Sequence, residues 1–316
     1  MGLGMAALGR PGYITLGHAG DLGGAHSIDA MRAHSHEVLD AAWQSGIRYF
    51  DAARSYGLAE QFLGDWLKTR RIPADQVMVS SKWGYTYTAN WQVDADVHEV
   101  KAHTLPVLQR QWQESQTFLG SYLGLYQIHS ATLDSGVFEN TAVLSELAAL
   151  KANHVAIGLT VSGPQQGVAL RRALEIQIDG RRLFDSVQAT WNILEQSTSA
   201  ALAEVHAAGL AVVIKEALAN GRLTSRNTDP AFATKRTILE RQAARLETTL
   251  DALALAAVLA QPWVNSVLSG ATTVDQLKAN LKALDLTWDA EAAAAVIKLV
   301  ETPDVYWSTR RALAWN

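Results

Sequence analysis

Four residues of this chain carry side chains that together could deliver a proton to a carbonyl oxygen: Asp51, Tyr56, Lys82 and His129. A phenol with its ordinary pKa of about 10 keeps its proton at neutral pH and gives it up slowly. A neighbouring ammonium stabilises the phenolate and lowers the tyrosine pKa, and a carboxylate holds that ammonium in place. An imidazole can hydrogen-bond the substrate oxygen and share in the transfer. On this reading Tyr56 is the general acid/base, Lys82 its tuner, Asp51 the anchor of Lys82, and His129 the donor that orients the carbonyl. None of the four can supply a hydride, so the chemistry requires a nicotinamide cofactor, NADP or NAD. Taken singly, each residue has a plainer role. Asp51 could cap a helix, Tyr56-Gly57 could form a turn, Lys82 could be a solvated rim residue, and His129 a core histidine.

Their common placement lifts them above those roles. Short β-branched runs at Ile47–Asp51, Val77–Lys82, Ser121–His129, Ala156–Thr160, Ser186–Ala189, Ala211–Lys215 and Val264–Ser269 read as strands. Between them, Ala- and Leu-rich stretches at His36–Gln44, Ala59–Lys68, Val97–Phe118, Val143–Ala152, Gln165–Leu174, Ala200–Ala208, Thr234–Ala260 and Val274–Leu284 read as helices. With Leu3–Leu8 as the opening strand, the alternation predicts an α/β protein built as a closed (β/α)8 TIM barrel. No Pro/Gly/Ser-rich linker divides residues 1–316, which read as one domain with a loop at 83–96 and a tail at 301–316. Chemistry in such barrels sits at the carboxyl ends of the strands. Three successive runs end at Asp51, Lys82 and His129, and Tyr56 follows on the loop after the first of them.

The composition narrows the field. With 27 Lys+Arg against 31 Asp+Glu and no basic block, duplex nucleic acid is not an expected partner. No cysteine is present, so disulfides, thiolate metal sites and thiol nucleophiles are excluded. No apolar run reaches the roughly 18–20 residues of a membrane span, and the start lacks a basic leader; a cytoplasmic location is expected. His34/His36 and His98/His103 lack the companions of a metal site, and none is expected. Gly2-Leu3-Gly4-Met5-Ala6-Ala7 fits G-x-G-x-x-A but has no strand before it.

Around the four polar residues the sequence resembles the aldo-keto reductases. Phe50-Asp51-Ala52-Ala53-Arg54-Ser55-Tyr56-Gly57, with Glu60 and Gly64, is similar to that family's FDTAxxYGxxE pattern. Ser80-Ser81-Lys82-Trp83-Gly84 is similar to its lysine strand, and Tyr126-Gln127-Ile128-His129 to its histidine strand. The resemblance spans the chain from Gly2 to Asn280. It implies a (β/α)8 barrel that uses NAD(P)(H) to interconvert carbonyls and alcohols. It also implies cofactor contacts from Gly4 and Met5, from Thr160 in place of a serine, from Gln188, and from Leu218, Gly221 and Arg222. Gly270, Thr272, Gln276 and Asn280 correspond to an adenosine-phosphate loop, where helix N-terminal amides favour an anion. The chain departs from the pattern at Val161, which stands for an asparagine, and at Lys215, which stands where an aromatic stacks on nicotinamide. Gln276 replaces an arginine common among NADPH users, which weakens the grip on a 2′-phosphate.

Trp83 and Tyr85 on the loop, Trp191, and Trp307 from the tail are expected to form the wall of a substrate pocket for a small carbonyl or alcohol. Two other readings stand beside the oxidoreductase: a Schiff-base lyase using Lys215, with Glu216 as a neighbour that could keep that amine charged, and a low-turnover, cofactor-sensing barrel.

Overall fold

The computed structural model describes residues 1–24 and 26–316. Eight parallel strands close on themselves: β1 (Gly2–Gly4), β2 (Tyr49–Asp51), β3 (Met78–Trp83), β4 (Leu123–Ile128), β5 (Ala156–Thr160), β6 (Ser186–Thr190), β7 (Ala211–Lys215) and β8 (Ser266–Ser269). Each pairs with its sequence neighbours, and β1 pairs with β8 to complete a (β/α)8 barrel. Closure leaves the barrel without a free strand edge. Phe50, Val79, Tyr126, Leu159, Val187, Ile214 and Val267 share the outer face of the barrel, where they join one continuous core with the surrounding helices.

The register sets the level of the polar residues. Gly4 pairs with Asp51, Asp51 with Ser80, Lys82 with Gln127, and Gln188 with Thr160. Asp51, Ser80, Lys82, Gln127 and Gln188 meet in the barrel interior, and their shared hydrogen bonds are described below. Two glycines bring the loops after β1 and β2 together. Leu58 N donates to Gly9 O (2.8 Å). Gly57 has φ +60°, and a Cβ on it would lie 2.4 Å from Gly9 O. Only glycine fits there, and the contact fixes the backbone beside Tyr56.

Several expected bounds shift. The opening strand is Gly2–Gly4 instead of Leu3–Leu8, because Met5 O accepts from Leu8 N and Gly9 N in a turn (3.1 and 3.0 Å). The helix expected from Val97 begins at Leu105, with Pro106 in its first turn, and runs to Leu119. Glu99–Lys101 instead pairs antiparallel with Tyr85–Tyr87 as a hairpin over the barrel mouth. The long helix expected over Thr234–Ala260 is two, Ala233–Arg245 and Leu250–Leu259, with Glu247 in a left-handed conformation (φ +52°) and Thr249 capping the second. The tail carries a helix, Pro303–Arg311.

Behind β3, a buried carboxylate joins three elements. Glu60, 1% exposed, accepts from Ser81 Oγ (2.5 Å) and Ser115 Oγ (2.6 Å) and pairs with Arg54 (2.5 Å). Arg54 N in turn donates to Lys82 O (3.0 Å), which ties the loop that carries Tyr56 to the lysine strand. Glu60→Ala leaves Arg54 with Glu114 as its remaining carboxylate and two buried hydroxyls without their acceptor. It is expected to lower unfolding free energy by about 2–4 kcal/mol, read as a lower urea midpoint at constant m-value.

Candidate active site

Asp51 ends β2, Lys82 lies one residue before the end of β3, and His129 follows β4 directly. Parallel strands of a barrel put all three at the same rim. Asp51 is the hub. Its Oδ2 takes the Lys82 ammonium, and its Oδ1 accepts from Ser80 Oγ (2.6 Å), Gln188 Nε2 (3.1 Å) and Gln127 Nε2 (3.2 Å). Lys82 Nζ also donates to Ala52 O (2.9 Å), so the buried charge has several partners. That ammonium lies 4.7 Å from the centre of the Tyr56 ring, a cation–π distance. The Tyr56 and His129 rings meet edge to face, 5.5 Å apart at 87°. His129 Nδ1 is 3.4 Å from Ser55 Oγ, and the Tyr85 ring packs 4.9 Å from the imidazole.

Burial sets the protonation states. Desolvation, then the Asp51 carboxylate, push the Tyr56 phenol well above its ordinary value of 10.0, against a smaller pull from Arg10. The expected lowering of this pKa by Lys82 is overturned, because burial and the Asp51 carboxylate together outweigh the cations around the ring. Desolvation also lowers Lys82, with Asp51 opposing. His129 is held well below 6.5 by desolvation and by the cations Lys82, Lys215 and Arg10. At neutral pH the site therefore holds a protonated phenol beside a neutral imidazole.

Asp51, Tyr56 and His129, with Lys82 buried behind them, line a cavity of about 450 Å³, within the range of small-molecule sites. Of the residues expected at a cofactor site, Gly4, Gln188, Lys215, Leu218, Gly221, Gly270, Thr272, Gln276 and Asn280 line it. Gln188, expected to reach a carboxamide, spends its amide on Asp51. Three others do not line the cavity. Met5 is buried in the core. Thr160 is buried and accepts from Ser130 N (2.7 Å). Arg222 is turned to Glu301 in two hydrogen bonds (2.7 and 3.1 Å).

The expected aromatic wall is corrected more heavily. Tyr85 lines the cavity, but Trp83, Trp191 and Trp307 do not. Trp83 follows inward-facing Lys82, so strand alternation sends it outward into the core, where it packs on His103. Trp191 packs on Trp263 and donates to Ser199 Oγ (2.8 Å). Trp307 is buried against Tyr306.

Residues not singled out from sequence complete the mouth beside Lys215 and Glu216. Arg10, 2% exposed, stacks its guanidinium over Tyr56 and Tyr13 (both 5.3 Å) and Trp315 (4.7 Å) and donates to Ser55 O (2.9 Å) and Glu99 (3.1 Å). Trp315 also stacks on His98, 3.8 Å away at 6°. Tyr13 and Asn316 exchange both backbone hydrogen bonds (3.0 and 3.2 Å). Lys215 faces the cavity with its amine pushed down to about 8, chiefly by burial. Glu216 opposes that fall, as expected of a neighbouring carboxylate, but its hydrogen bonds go to Arg310, whose Nε lies 2.9 and 3.0 Å from the two carboxylate oxygens; against desolvation, Arg310 and then Lys215 hold it down to about 2.

A closed (β/α)8 barrel with Asp, Tyr, Lys and His gathered at its carboxyl rim describes a class of oxidoreductase scaffold. The chain belongs to the aldo/keto reductase family, whose pattern matches residues 13–301. It is 23% identical to the oxidoreductase YqkF of Bacillus subtilis, over 91% of this chain and 94% of that one. It is 28% identical to D-threo-aldose 1-dehydrogenase of a Pseudomonas species, over 84% of this chain and 88% of that one. In fold it matches the holo form of aldo-keto reductase AKR11C1 from Bacillus halodurans, with TM-score 0.73, 23% identity, and coverage of 96% and 92% of the two chains. Among the described residues, no helix is long and apolar enough to cross a membrane, and no cluster of His, Asp and Glu could hold a metal ion.

Proposed function

We propose that this protein is an NAD(P)(H)-dependent oxidoreductase that interconverts an aldehyde or ketone and its alcohol, or a lactol and its lactone, with Tyr56 as general acid/base. The observation that carries the reading is the Tyr56 ring held between the Lys82 ammonium and the His129 imidazole at the wall of the cavity. The lactol is included because a relative of this chain bears the name of an aldose 1-dehydrogenase.

The cavity fits a dinucleotide. It runs from Tyr56 and His129 to the loops after β7 and β8, the usual place for a phosphate in such barrels. A Cβ on Gly270 would meet nothing within 4 Å, so that loop leaves open space. Asn280 is 1% exposed, and its Oδ1 has no hydrogen-bond partner, an acceptor awaiting a donor.

A bound nicotinamide supplies or accepts the hydride. The chain does the rest. His129, neutral, and the Tyr56 hydroxyl bind the carbonyl oxygen and orient it. Tyr56 passes its proton to that oxygen as negative charge develops there. Lys82 stabilises the phenolate left behind, and Asp51 keeps Lys82 charged and in place. Arg10 adds a second cation against the Tyr56 ring.

Loss of reduced-nicotinamide absorbance across a panel of aldehydes, ketones and sugars tests the proposal; absence of turnover with both NADH and NADPH rejects it and favours the cofactor-sensing barrel. One observation favours the Schiff-base alternative: the Lys215 amine, at about 8, is unusually ready to be neutral. Borohydride added with an aldehyde is expected to leave Lys215 unmodified in a peptide mass map; preferential trapping there would support the lyase.

A further inference from the structure

The end of the cavity away from Tyr56 carries an ion cluster that the four-residue chemistry does not use. Asp21 comes from the loop after β1, in the short helix His18–Asp21, and reaches across to the loop after β8. Its Oδ2 accepts from Thr272 Oγ1 (2.6 Å) and Arg226 NH1 (2.8 Å), and its Oδ1 takes Arg226 NH2. The Asp21 side chain is 7% exposed, while that of Arg226 is 34% exposed. Asp251 lines the same end, so two carboxylates there face one guanidinium, which is already paired.

Two of the amides that would otherwise face an anion at this place are already paired. Thr272 N donates to Gln276 Oε1 (2.8 Å), and Gln276 N donates to Thr273 Oγ1 (3.2 Å). Asp275 adds a further negative charge in the first turn of the helix Val274–Leu281. A helix start normally welcomes an anion through free amides and its dipole. Here side-chain oxygens take two of the amides, and the carboxylates of Asp21 and Asp275 stand beside them. Beside this cluster, the unpaired Oδ1 of buried Asn280 marks a place that still asks for a hydrogen-bond donor.

We infer that Asp21 selects NAD(H) over NADP(H), by accepting from the adenosine ribose hydroxyls and repelling a 2′-phosphate. The inference rests on the oxidoreductase reading above, which puts the hydride end of a dinucleotide at Tyr56; its far end then falls at the loop after β8, where Asp21 is bonded to Thr272. A ribose 2′-hydroxyl can donate to a carboxylate; a 2′-phosphate carries only acceptors and close to two negative charges at neutral pH. Arg226 is already paired with Asp21, so it offers that phosphate less net charge than a free guanidinium would, and drawing it away would strand a nearly buried carboxylate beside the incoming charge.

The test is equilibrium binding of NADH and NADPH to the full chain, each by quenching of tryptophan fluorescence at fixed ionic strength. The unaltered protein is expected to bind NADH at least about tenfold more tightly than NADPH, a difference of about 1.4 kcal/mol. Asp21→Asn keeps an acceptor for Thr272 but removes the charge and frees Arg226. It is expected to shrink the NADH preference by about tenfold or more, and adding Arg226→Gln should take back the gain in NADPH affinity. Equal affinities in the unaltered protein, or a ratio unmoved by Asp21→Asn, overturn the assignment and leave the oxidoreductase reading standing. Binding of neither dinucleotide overturns both.

Discussion

Tyr56→Phe is expected to lower turnover by about 10²–10⁴-fold while leaving dinucleotide affinity and stability close to those of the parent. The substitution removes one oxygen and keeps the ring. The Lys82 contact to the ring face and the edge-to-face contact with His129 therefore survive, and neither depends on the hydroxyl. The proton source is lost, because His129, held well below 6.5, carries no extra proton at neutral pH. The decisive measurement is single-turnover reduction of whichever carbonyl compound the absorbance screen identifies, beside a fluorescence titration of the dinucleotide. A variant with near-parental turnover would remove Tyr56 from the proton path.

The second large effect falls on stability. Asp51→Asn leaves the Lys82 ammonium, 1% exposed, without its counter-charge, and weakens the acceptor shared by Ser80, Gln127 and Gln188. The cost is expected to be about 3–5 kcal/mol, most of it the penalty for an unpaired buried charge. The pH dependence follows from the sign of the lysine shift. Lys82 is already lowered from 10.5 by burial, and Asp51 is the largest force opposing that fall. In the variant the folded-state pKa drops further, so between that value and 10.5 the unfolded chain binds a proton that the folded one does not. Stability should therefore rise as pH is raised through this window, more steeply than in the parent. Urea midpoints at several pH values read the slope. Adding Lys82→Met should recover much of the loss at neutral pH; a double variant no more stable than Asp51→Asn would show that the charge is not the cause.

The barrel was legible because its strands are short β-branched runs separated by Ala- and Leu-rich helices, a pattern that is local. Asp51, Lys82 and His129 were legible because each ends such a run. The outward turn of Trp83 was also available, since a residue next to an inward lysine must face the other way. Other features depend on pairings that no local window contains. Glu99-Val100-Lys101 has a helix-compatible composition, and only its partner Tyr85–Tyr87 makes it a strand. Gln188 meets Asp51 across 137 positions of sequence, and Asp21 meets Thr272 across 251. Arg10 follows Gly9 in a turn and gives no periodic signal. Its place over Tyr56 is set by the two glycine-bearing loops after β1 and β2, and by Trp315.

The clasp between Tyr13 and Asn316 has a consequence for the order in which the molecule is assembled. The Asn316 amide reaches Tyr13 O across 303 positions, among the longest loops the chain can close, and loop-closure entropy grows with that separation. Contacts between barrel strands that are consecutive in sequence span far shorter segments and are rewarded earlier; only the β1–β8 closure is of comparable reach. A nascent or partly refolded chain would thus already seat Lys82 on Asp51 while one wall of the entrance was still missing. Recovery of tertiary structure and recovery of ligand selectivity need not coincide in time.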